Sequence, residues 1–511
     1  MKIRILTVLL AMLMLFSMVA CNNGGGTDET TASQGGKDDV TDSTGDTGTG
    51  DETTAQPDVD PLSHLPNDTY GNDEFSILFN HDYRCSNAII LDELGAEPTS
   101  VERAVYTRMT YISDTYQIKF QGYKAADYNT DLISKMSTYA KTGIDSMDLC
   151  LAHGRHATFP LAVQGSLYEW HDMPLVDLDA SYWSQNAREQ LATPGGKVYF
   201  LTGDANYLTV GTAFCMFFNK DMIGDINGLD MPFDAVREGE WTLEMFETYV
   251  ATVASNLNGN GTGELGSDSF AYVVISNRGP QAAINCTDYG MLARDEGEKY
   301  GYKYTGKKTD VTRAIIDYVE LVLKSGNALY YKLSKQEDKF NVHNAFISET
   351  VCFFEDEVDY AGTFAKTDVS FGVLPWPMYS EECENGYTSL VDAGVDMFCV
   401  LINTSEDNLK RVSVVLENLS YFGQRDVMPL YYETVLSYQY LKDEDSLEML
   451  TYIHDSLVYD FAFFYNPGGI GDAAMSIVNA GGNQSLTSWL TGAQGMIDEA
   501  LKKWSDLDKE A

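Results

Sequence analysis

Three short apolar runs, separated by two stretches of helical periodicity, set the fold class of this chain. Phe75-Ser76-Ile77-Leu78-Phe79 reads as a strand running into a polar turn, Asn80-His81-Asp82-Tyr83-Arg84. In Pro98-Thr99-Ser100-Val101-Glu102, Thr99 stands three residues before Glu102, the spacing at which a hydroxyl and a carboxylate cap a helix start reciprocally. Val101, Val105, Met109, Ile112 and Tyr116 then recur every three or four residues, the pattern of an amphipathic helix. Gln117-Ile118-Lys119-Phe120 reads as a second strand, residues 131–140 as a helix ending near Gly143, and residues 147–152 as a third strand. This β-α-β-α-β order predicts a mostly parallel α/β sheet flanked by helices.

Similar signals continue downstream. Thr242 can cap a helix carrying Leu243, Phe246, Val250 and Val253, and Ser405 another carrying Leu409, Val412, Leu416 and Leu419, closed by Gly423. Residues 214–218, 271–275, 351–354 and 371–374 read as strands. Beyond about Leu430 the chain reads as largely helical and rich in Tyr, and it shows no internal repeat.

The N-terminus is of another kind. Met1-Lys2-Ile3-Arg4 is basic, residues 5–15 are apolar but for Thr7, and Val19-Ala20 precede Cys21. A basic start, a short apolar run and small residues before a cut site read as a secretory signal over 1–20. A Cys at that place resembles the bacterial lipobox, in which the thiol is lipidated and becomes the new N-terminus. The alternative is an ordinary secretory signal with Cys21 near the cut. From Asn22 to about Asp60 the chain is Gly, Thr, Ser, Asp and Gln, too polar to bury a core, so 21–73 reads as a lipidated Cys and disordered tether. As a random coil it has a reach of roughly 35 Å. No second apolar run is long enough to span a bilayer.

Roughly 440 residues remain, which suits two lobes better than one core. A formal net charge of −42 opposes binding to nucleic acid and to anionic lipid surfaces. Besides Cys21 the cysteines are Cys85, Cys150, Cys215, Cys286, Cys352, Cys383 and Cys399. They are odd in number, widely spaced and without a C-x-x-C pair, so they read as small core residues with at most an incidental bridge.

Four stretches, in this order, resemble the large sugar-binding family of bacterial extracellular solute-binding proteins of ABC importers, the group that includes maltose-binding protein. Gly195-Gly196-Lys197-Val198-Tyr199-Phe200 followed by Phe217-Phe218-Asn219-Lys220-Asp221-Met222-Ile223 is similar to that family's "G-K-x-Y … Y-N-K-x-x-(L/I)" passage. Glu240-Trp241-Thr242-Leu243-Glu244 is similar to its "W-T-W/L-E-E" helix start. Ala345-Phe346-Ile347-Ser348-Glu349-Thr350-Val351 resembles "A-F-x-x-G-E-x-A-M", with Ser348 for the usual Gly. Phe371-Gly372-Val373-Leu374-Pro375-Trp376-Pro377 resembles "(Y/F)-G-V-x-P-x-P". The resemblance covers nearly the whole chain after the tether.

It implies a two-lobed, type II periplasmic-binding-protein-like fold, each lobe a mostly parallel sheet flanked by helices, with ligand held in the cleft between lobes. Lobe one is expected at 74–204 plus 370–429 and lobe two at 205–369 plus 430–511, with crossings near Asp204, Phe371 and Pro429. The implied function is capture of a carbohydrate, an oligosaccharide, by cleft closure and its delivery to permease subunits. The implied setting is a monomer lipid-anchored at the extracellular face of the cytoplasmic membrane. Carried over by position, the loops after the strands supply the expected ligand groups. These are Asn80, Asp82 and Arg84, then His153 and Arg155 with His156, then Asp204 and Asn206 at a crossing. The second lobe offers Asn277 and Arg278, Glu355, Asp356 and Tyr360, then Tyr465 and Asn466. The 32 Tyr, flat faces bearing a hydroxyl, suit a sugar ligand.

Asn256-Leu257-Asn258-Gly259-Asn260-Gly261-Thr262-Gly263-Glu264 resembles a calcium loop, with candidate oxygens on Asn256, Asn258, Asn260, Thr262, Glu264 and Asp268. Asn stands where relatives of such loops carry Asp, and Asp268 comes one residue past position twelve, so the expectation is a polar turn and no cofactor. There is no H-E-x-x-H, G-x-x-x-x-G-K-[ST] or G-x-S-x-G, and the expectation is no enzyme. Two other readings stay open: a surface lipoprotein hydrolase acting on glycans, and a receptor for a peptide or another non-sugar solute.

Overall fold

The computed structural model describes residues 60–80, 87–91, 93–142, 147–257, 263–432 and 443–509. The signal segment, Cys21 and the tether up to residue 59 lie outside them, as do Asp82, Arg84, Asn258, Asn260 and Thr262.

Strand β1 (Asp73–Phe79) leads to helix α1 (Ser100–Tyr116). The Thr99 hydroxyl accepts from the Glu102 amide while the Glu102 carboxylate accepts from the Thr99 amide, and the whole predicted stripe from Val101 to Tyr116 is buried. Gln117 turns through the left-handed region at φ 50°, so β2 (Ile118–Lys124) starts one residue later than expected. Helix α2 (Thr130–Thr142) and β3 (Leu149–His153) follow, and β1 pairs in parallel with both β2 and β3.

The chain then leaves this sheet. Leu201 still bridges to Phe398 beside β3, whereas β4 (Phe214–Asn219) belongs to a second sheet. There follow α3 (Leu243–Asn256), capped by the Thr242 hydroxyl, β5 (Phe270–Ile275), α4 (Gly279–Asn285), β6 (Ala328–Tyr331), α5 (Lys339–Ile347), β7 (Val351–Glu357) and β8 (Phe371–Leu374). The sheet order is β8-β4-β7-β5-β6, with β5 parallel to β6 and β7, and β4 antiparallel to β7 and β8.

Three expectations change here. β7 runs on past Phe354 because its pairing with β4 continues to Phe214↔Glu357; Glu355 and Asp356 are buried strand residues, not loop residues. β8 pairs with β4 from Phe371↔Asn219 to Leu374↔Met216, so 370 is not a return to the first lobe. That return comes later, where Ser389–Leu390 pairs with Leu457–Val458, Val391 bridges Ala213, and β9 (Asp396–Cys399) joins β3 antiparallel, giving the first sheet the order β9-β3-β1-β2. Third, Gly423 does not close its helix. Helix α6 (Glu406–Phe422), capped by Ser405, passes through Gly423 at φ −57° and continues in wider turns to Val427. A Cβ at Gly423 would overlap the Asp204 backbone carbonyl, so glycine here lets two crossing segments touch.

After α7 (Glu444–Asp455), the C-terminal helices end in α8 (Leu486–Asp506) and do not keep to the second lobe. Trp504 stacks on Phe159 at 5.4 Å between ring centroids, and the Asp508 carboxylate accepts from the Gly195 amide at 2.7 Å. One apolar cluster therefore runs from Leu78 and Cys150 through Trp504 to Phe214 and Tyr272, joining both sheets.

Candidate functional site

In parallel sheets the carboxyl ends of strands gather at one rim, and here the rims of both sheets meet the crossing segment just before β9. On the first-lobe side the amides of Gly154 and Arg155 donate to the carbonyls of Val395 and Ala393, at 2.9 and 2.7 Å. On the second-lobe side Arg278, following β5, reaches the Asp392 carboxylate at 3.1 Å. Two neighbouring residues of one crossing thus hold the loops of opposite lobes.

Arg278 is 4% exposed and is the centre of the second-lobe cluster. Its Nε donates to Asp356 at 3.0 Å, one terminal nitrogen donates to Glu357 at 2.6 Å, and its guanidinium lies over the Phe214 ring, 5.1 Å from the centroid. His343 Nε2 contacts Asp356 at 2.8 Å, and Lys339 lies 3.9 Å from Glu357 and 4.4 Å from the Tyr360 ring centroid. Burial pushes Glu357 up to about 7. Burial also acts on Asp356, but Lys339, Arg278 and His343 outweigh it and hold that carboxyl well below its usual range. The cluster is a set of planar donors and acceptors fixed by one another, flanked by Tyr360 and the half-exposed Phe340 ring. The Asn277 carbonyl accepts from Arg278 at 3.4 Å, so this residue sits at the same strand end.

The first lobe presents the end of β3. His153 stacks against Tyr128 and His156, with centroids 4.8 and 4.9 Å away, and Tyr128 is exposed on its far side. Burial, with the neighbouring His156, pushes His153 down to about 4, so its ring is neutral at physiological pH. Burial also lowers His156, followed by the charge of Arg155. Arg155 pairs with Asp472 at 2.7 Å and lies over the Phe463 ring. Asp472 is held in turn by the Asn466 amide at 2.8 Å, and Asn466 accepts from the Gly471 amide. Asn80, at the end of β1, donates to Asp396 at the start of β9.

Asp204 and Asn206 lie together at the first crossing. The Asp204 carboxylate accepts from Gln424 at 3.0 Å, and burial raises it to about 6. Asn206 is buried, and its side-chain oxygen accepts from the Leu208 amide at 3.3 Å while its side-chain nitrogen has no partner.

Other candidates are placed elsewhere. Tyr465 is buried among Trp504, Phe159, Phe200 and Phe461, with its hydroxyl on the Leu191 carbonyl at 2.7 Å; it is a core residue. Glu355 points beneath the loop that carries Arg278, accepting from the amides of Ile275 and Gly279. In the calcium-like loop, Asn256 donates back to Thr252, and Asp268 accepts from the Glu264 amide, closing a turn on itself. Among the described residues no three His, Cys, Asp or Glu side chains form a group able to hold a metal ion.

Sequence reasoning missed Asp392, Glu357, Lys339, His343, Tyr128 and Asp472. Glu357 stands three residues past the expected strand end at Phe354, on the same strand as it continues. Asp392 lies in Val391-Asp392-Ala393-Gly394, a segment with no period and no motif.

No family model matches the chain, and no curated protein does. Solved structures do. The chain is similar to UgpB from Mycobacterium tuberculosis in complex with glycerophosphocholine, at 14% identity and TM-score 0.54, over 84% of this chain and 98% of that one. It is similar to the sugar-binding protein MalE from the phytopathogen Xanthomonas citri, at 12% identity and TM-score 0.55, over 85% and 100%. A family 1 extracellular solute-binding protein from Bifidobacterium longum subsp. infantis aligns at 14% identity and TM-score 0.52, over 87% and 100%. The fold is the two-lobed α/β fold of periplasmic-binding-protein-like chains.

Proposed function

We propose that this chain is the substrate-binding component of an ABC transporter, capturing a carbohydrate, an oligosaccharide, between its lobes and handing it to permease subunits. It carries out no covalent chemistry. It works as a monomer at the extracellular face of the cytoplasmic membrane, tethered through a lipidated Cys21. The observation that carries this reading is the convergence of strand-end groups from both lobes, Gly154 and Arg155 from one and Arg278 from the other, on one crossing segment. It is supported by a fold shared with solute-binding chains over nearly their whole length. Aromatic faces beside polar clusters, Tyr128 on one lobe and Phe340 with Tyr360 on the other, suit the alternating apolar and hydroxylated faces of a sugar.

The test is thermal unfolding against a panel of mono- and oligosaccharides, with glycerophosphocholine and short peptides alongside. A ligand at 100 times its Kd stabilises the folded chain by about 2.7 kcal/mol. The expected result is a raised Tm with one sugar class, and at least tenfold weaker binding, about 1.4 kcal/mol, in Arg155→Ala, Asp204→Ala or Arg278→Ala. A shift with peptides or glycerophosphocholine alone would reassign the solute class. Release of shorter sugars from an oligosaccharide would replace the receptor with a hydrolase.

A further inference from the structure

Two cysteines far apart in sequence are brought together by a segment laid across the end of α4. Cys286 follows that helix, is 2% exposed and has its thiol directed to the Ala283 carbonyl at 2.9 Å. The stretch 379–388 is pinned over it. The Tyr379 amide donates to the Cys286 carbonyl at 2.8 Å. Asn385 contacts Asp288 twice, through its amide at 2.9 Å and its side-chain nitrogen at 3.2 Å. The Thr388 hydroxyl donates to the Asn285 carbonyl. Between these anchors, in a turn closed by the Cys383 amide on Ser380 and the Gly386 amide on Cys383, the Cys383 sulfur lies 3.7 Å from the Cys286 carbonyl oxygen. Cys383 is half-buried, so reagent can reach it while Cys286 waits behind.

We propose that Cys286 and Cys383 are a disulfide-forming pair. The other described cysteines give a contrast. Cys150 and Cys399 are also opposite one another, in register between β3 and β9, but both are fully buried in the sheet core and neither offers an entry point. At the half-buried Cys383 the thiol loses its proton to water, and the thiolate attacks an external disulfide, such as oxidised glutathione, expelling one thiolate that takes up a proton. Cys286 then attacks the Cys383 sulfur of the mixed disulfide, expelling the second thiolate, which takes up the Cys286 proton. Two protein thiols are oxidised and one external disulfide is reduced to two thiols. Such exchange suits an extracellular compartment, where protein disulfides persist.

The bridge has a structural consequence at the candidate cleft. α4 begins directly after Arg278, and the pinned segment runs on through Ser389 to Asp392, the carboxylate that Arg278 holds. A link between the far end of α4 and this segment would tie the two arms of the Arg278–Asp392 contact from behind. It closes a loop on the order of 100 residues, for which chain-entropy arguments give a Tm increase of about 5 °C in a chain of this size.

The test is incubation of the full-length chain with oxidised glutathione, then alkylation under denaturing conditions and peptide mapping, with Tm measured before and after reduction. The expected result is a peptide linking Cys286 to Cys383, a mass lower by two hydrogens, and a Tm gain that reductant reverses. Cys383→Ser is expected to fold normally and to lose both signals. Persistence of glutathione on Cys383 without closure, a bridge to another cysteine, or all thiols still alkylated would overturn the proposal. None of these outcomes bears on the solute reading, which rests on other residues.

Discussion

Glu355 offers a direct test of how the second lobe holds its cleft loop. It is fully buried in β7, and one carboxyl oxygen accepts from the amides of Ile275 and Gly279, at 2.7 and 3.1 Å. These two amides flank Asn277 and Arg278, so the buried carboxyl fixes the loop that presents the guanidinium. Burial pushes Glu355 from the ordinary 4.5 up to about 8, so the folded chain keeps this proton at neutral pH while the unfolded chain loses it. Folding therefore takes up a proton between about pH 4.5 and 8. The group's contribution is fully present below the unfolded value and falls by about 1.4 kcal/mol for each pH unit as pH rises through that window. Glu355→Gln keeps the accepting oxygen and has no proton to take up, and the hydroxyls of Tyr272 and Tyr318 lie beside it as partners for the new amide. From pH 5 to pH 7 the variant should gain about 2 to 3 kcal/mol on the native chain. Urea unfolding at the two pH values measures this, because other titrating groups cancel in the difference. An equal difference at both pH values would refute a neutral buried Glu355. So would a gain that runs in the opposite direction.

Two further outcomes probe the crossings. Arg108 is 2% exposed and donates to four backbone carbonyls, those of Ala88, Ile89, Ala205 and Leu419; Arg108→Met should cost about 3 to 5 kcal/mol in urea unfolding, and an unchanged midpoint would mean these bonds add nothing net. Gly423→Ala places a methyl group against the Asp204 carbonyl and should cost about 1 to 3 kcal/mol, whereas full stability would show that the two crossings are not in contact.

The parts of the fold that a sequence announces are those governed by local chemistry. The Thr99–Glu102 cap and the Val101-to-Tyr116 stripe depend on neighbours within one helix, and both formed as read. Strand ends and sheet membership depend on partners far along the chain. Phe371-Gly372-Val373-Leu374 has the same strand character in either lobe, and only pairing with Met216 to Asn219 decides which sheet takes it. Glu355, Asp356 and Glu357 look like the polar end of a strand, yet β4 continues alongside and buries all three. Arg108 shows the opposite failure. It lies beside the apolar stripe with no pattern to mark it, and its long side chain reaches past the helix to carbonyls brought by three other segments. For the site, Arg155 and Arg278 do stand just after β3 and β5, where the sequence places them. Asp392 was not legible, because its role comes from meeting both lobes at a crossing that no local pattern marks.

The hydrogen bonds at that crossing run to both lobes, while the Gly394 and Val395 amides also bond back to Asp392 within it. The Asp392 amide donates to the Thr212 carbonyl at 3.0 Å, Val391 bridges Ala213, and the Asp392 carboxylate holds Arg278; all of these tie Asp392 to the second lobe. One residue on, the Ala393 carbonyl accepts from Arg155, and Val395 accepts from Gly154, which ties the next residues to the first. Arg108, from the first lobe, grips Ala205 and Leu419, the last points of the other two crossings before they leave that lobe. Were the lobes to rotate as the proposed function requires, the short segments joining them are the turn from Asp392 to Val395, the stretch after Ala205, and the turns from Gly423 to Val427. Hinge motion needs only a few such residues to absorb the change in backbone angles. In that case Arg278 and Asp392 would move as one body and His153 and Arg155 as another. The two polar clusters would then keep their internal geometry while the distance between them changed, which is the division of labour that cleft closure in the proposed function requires.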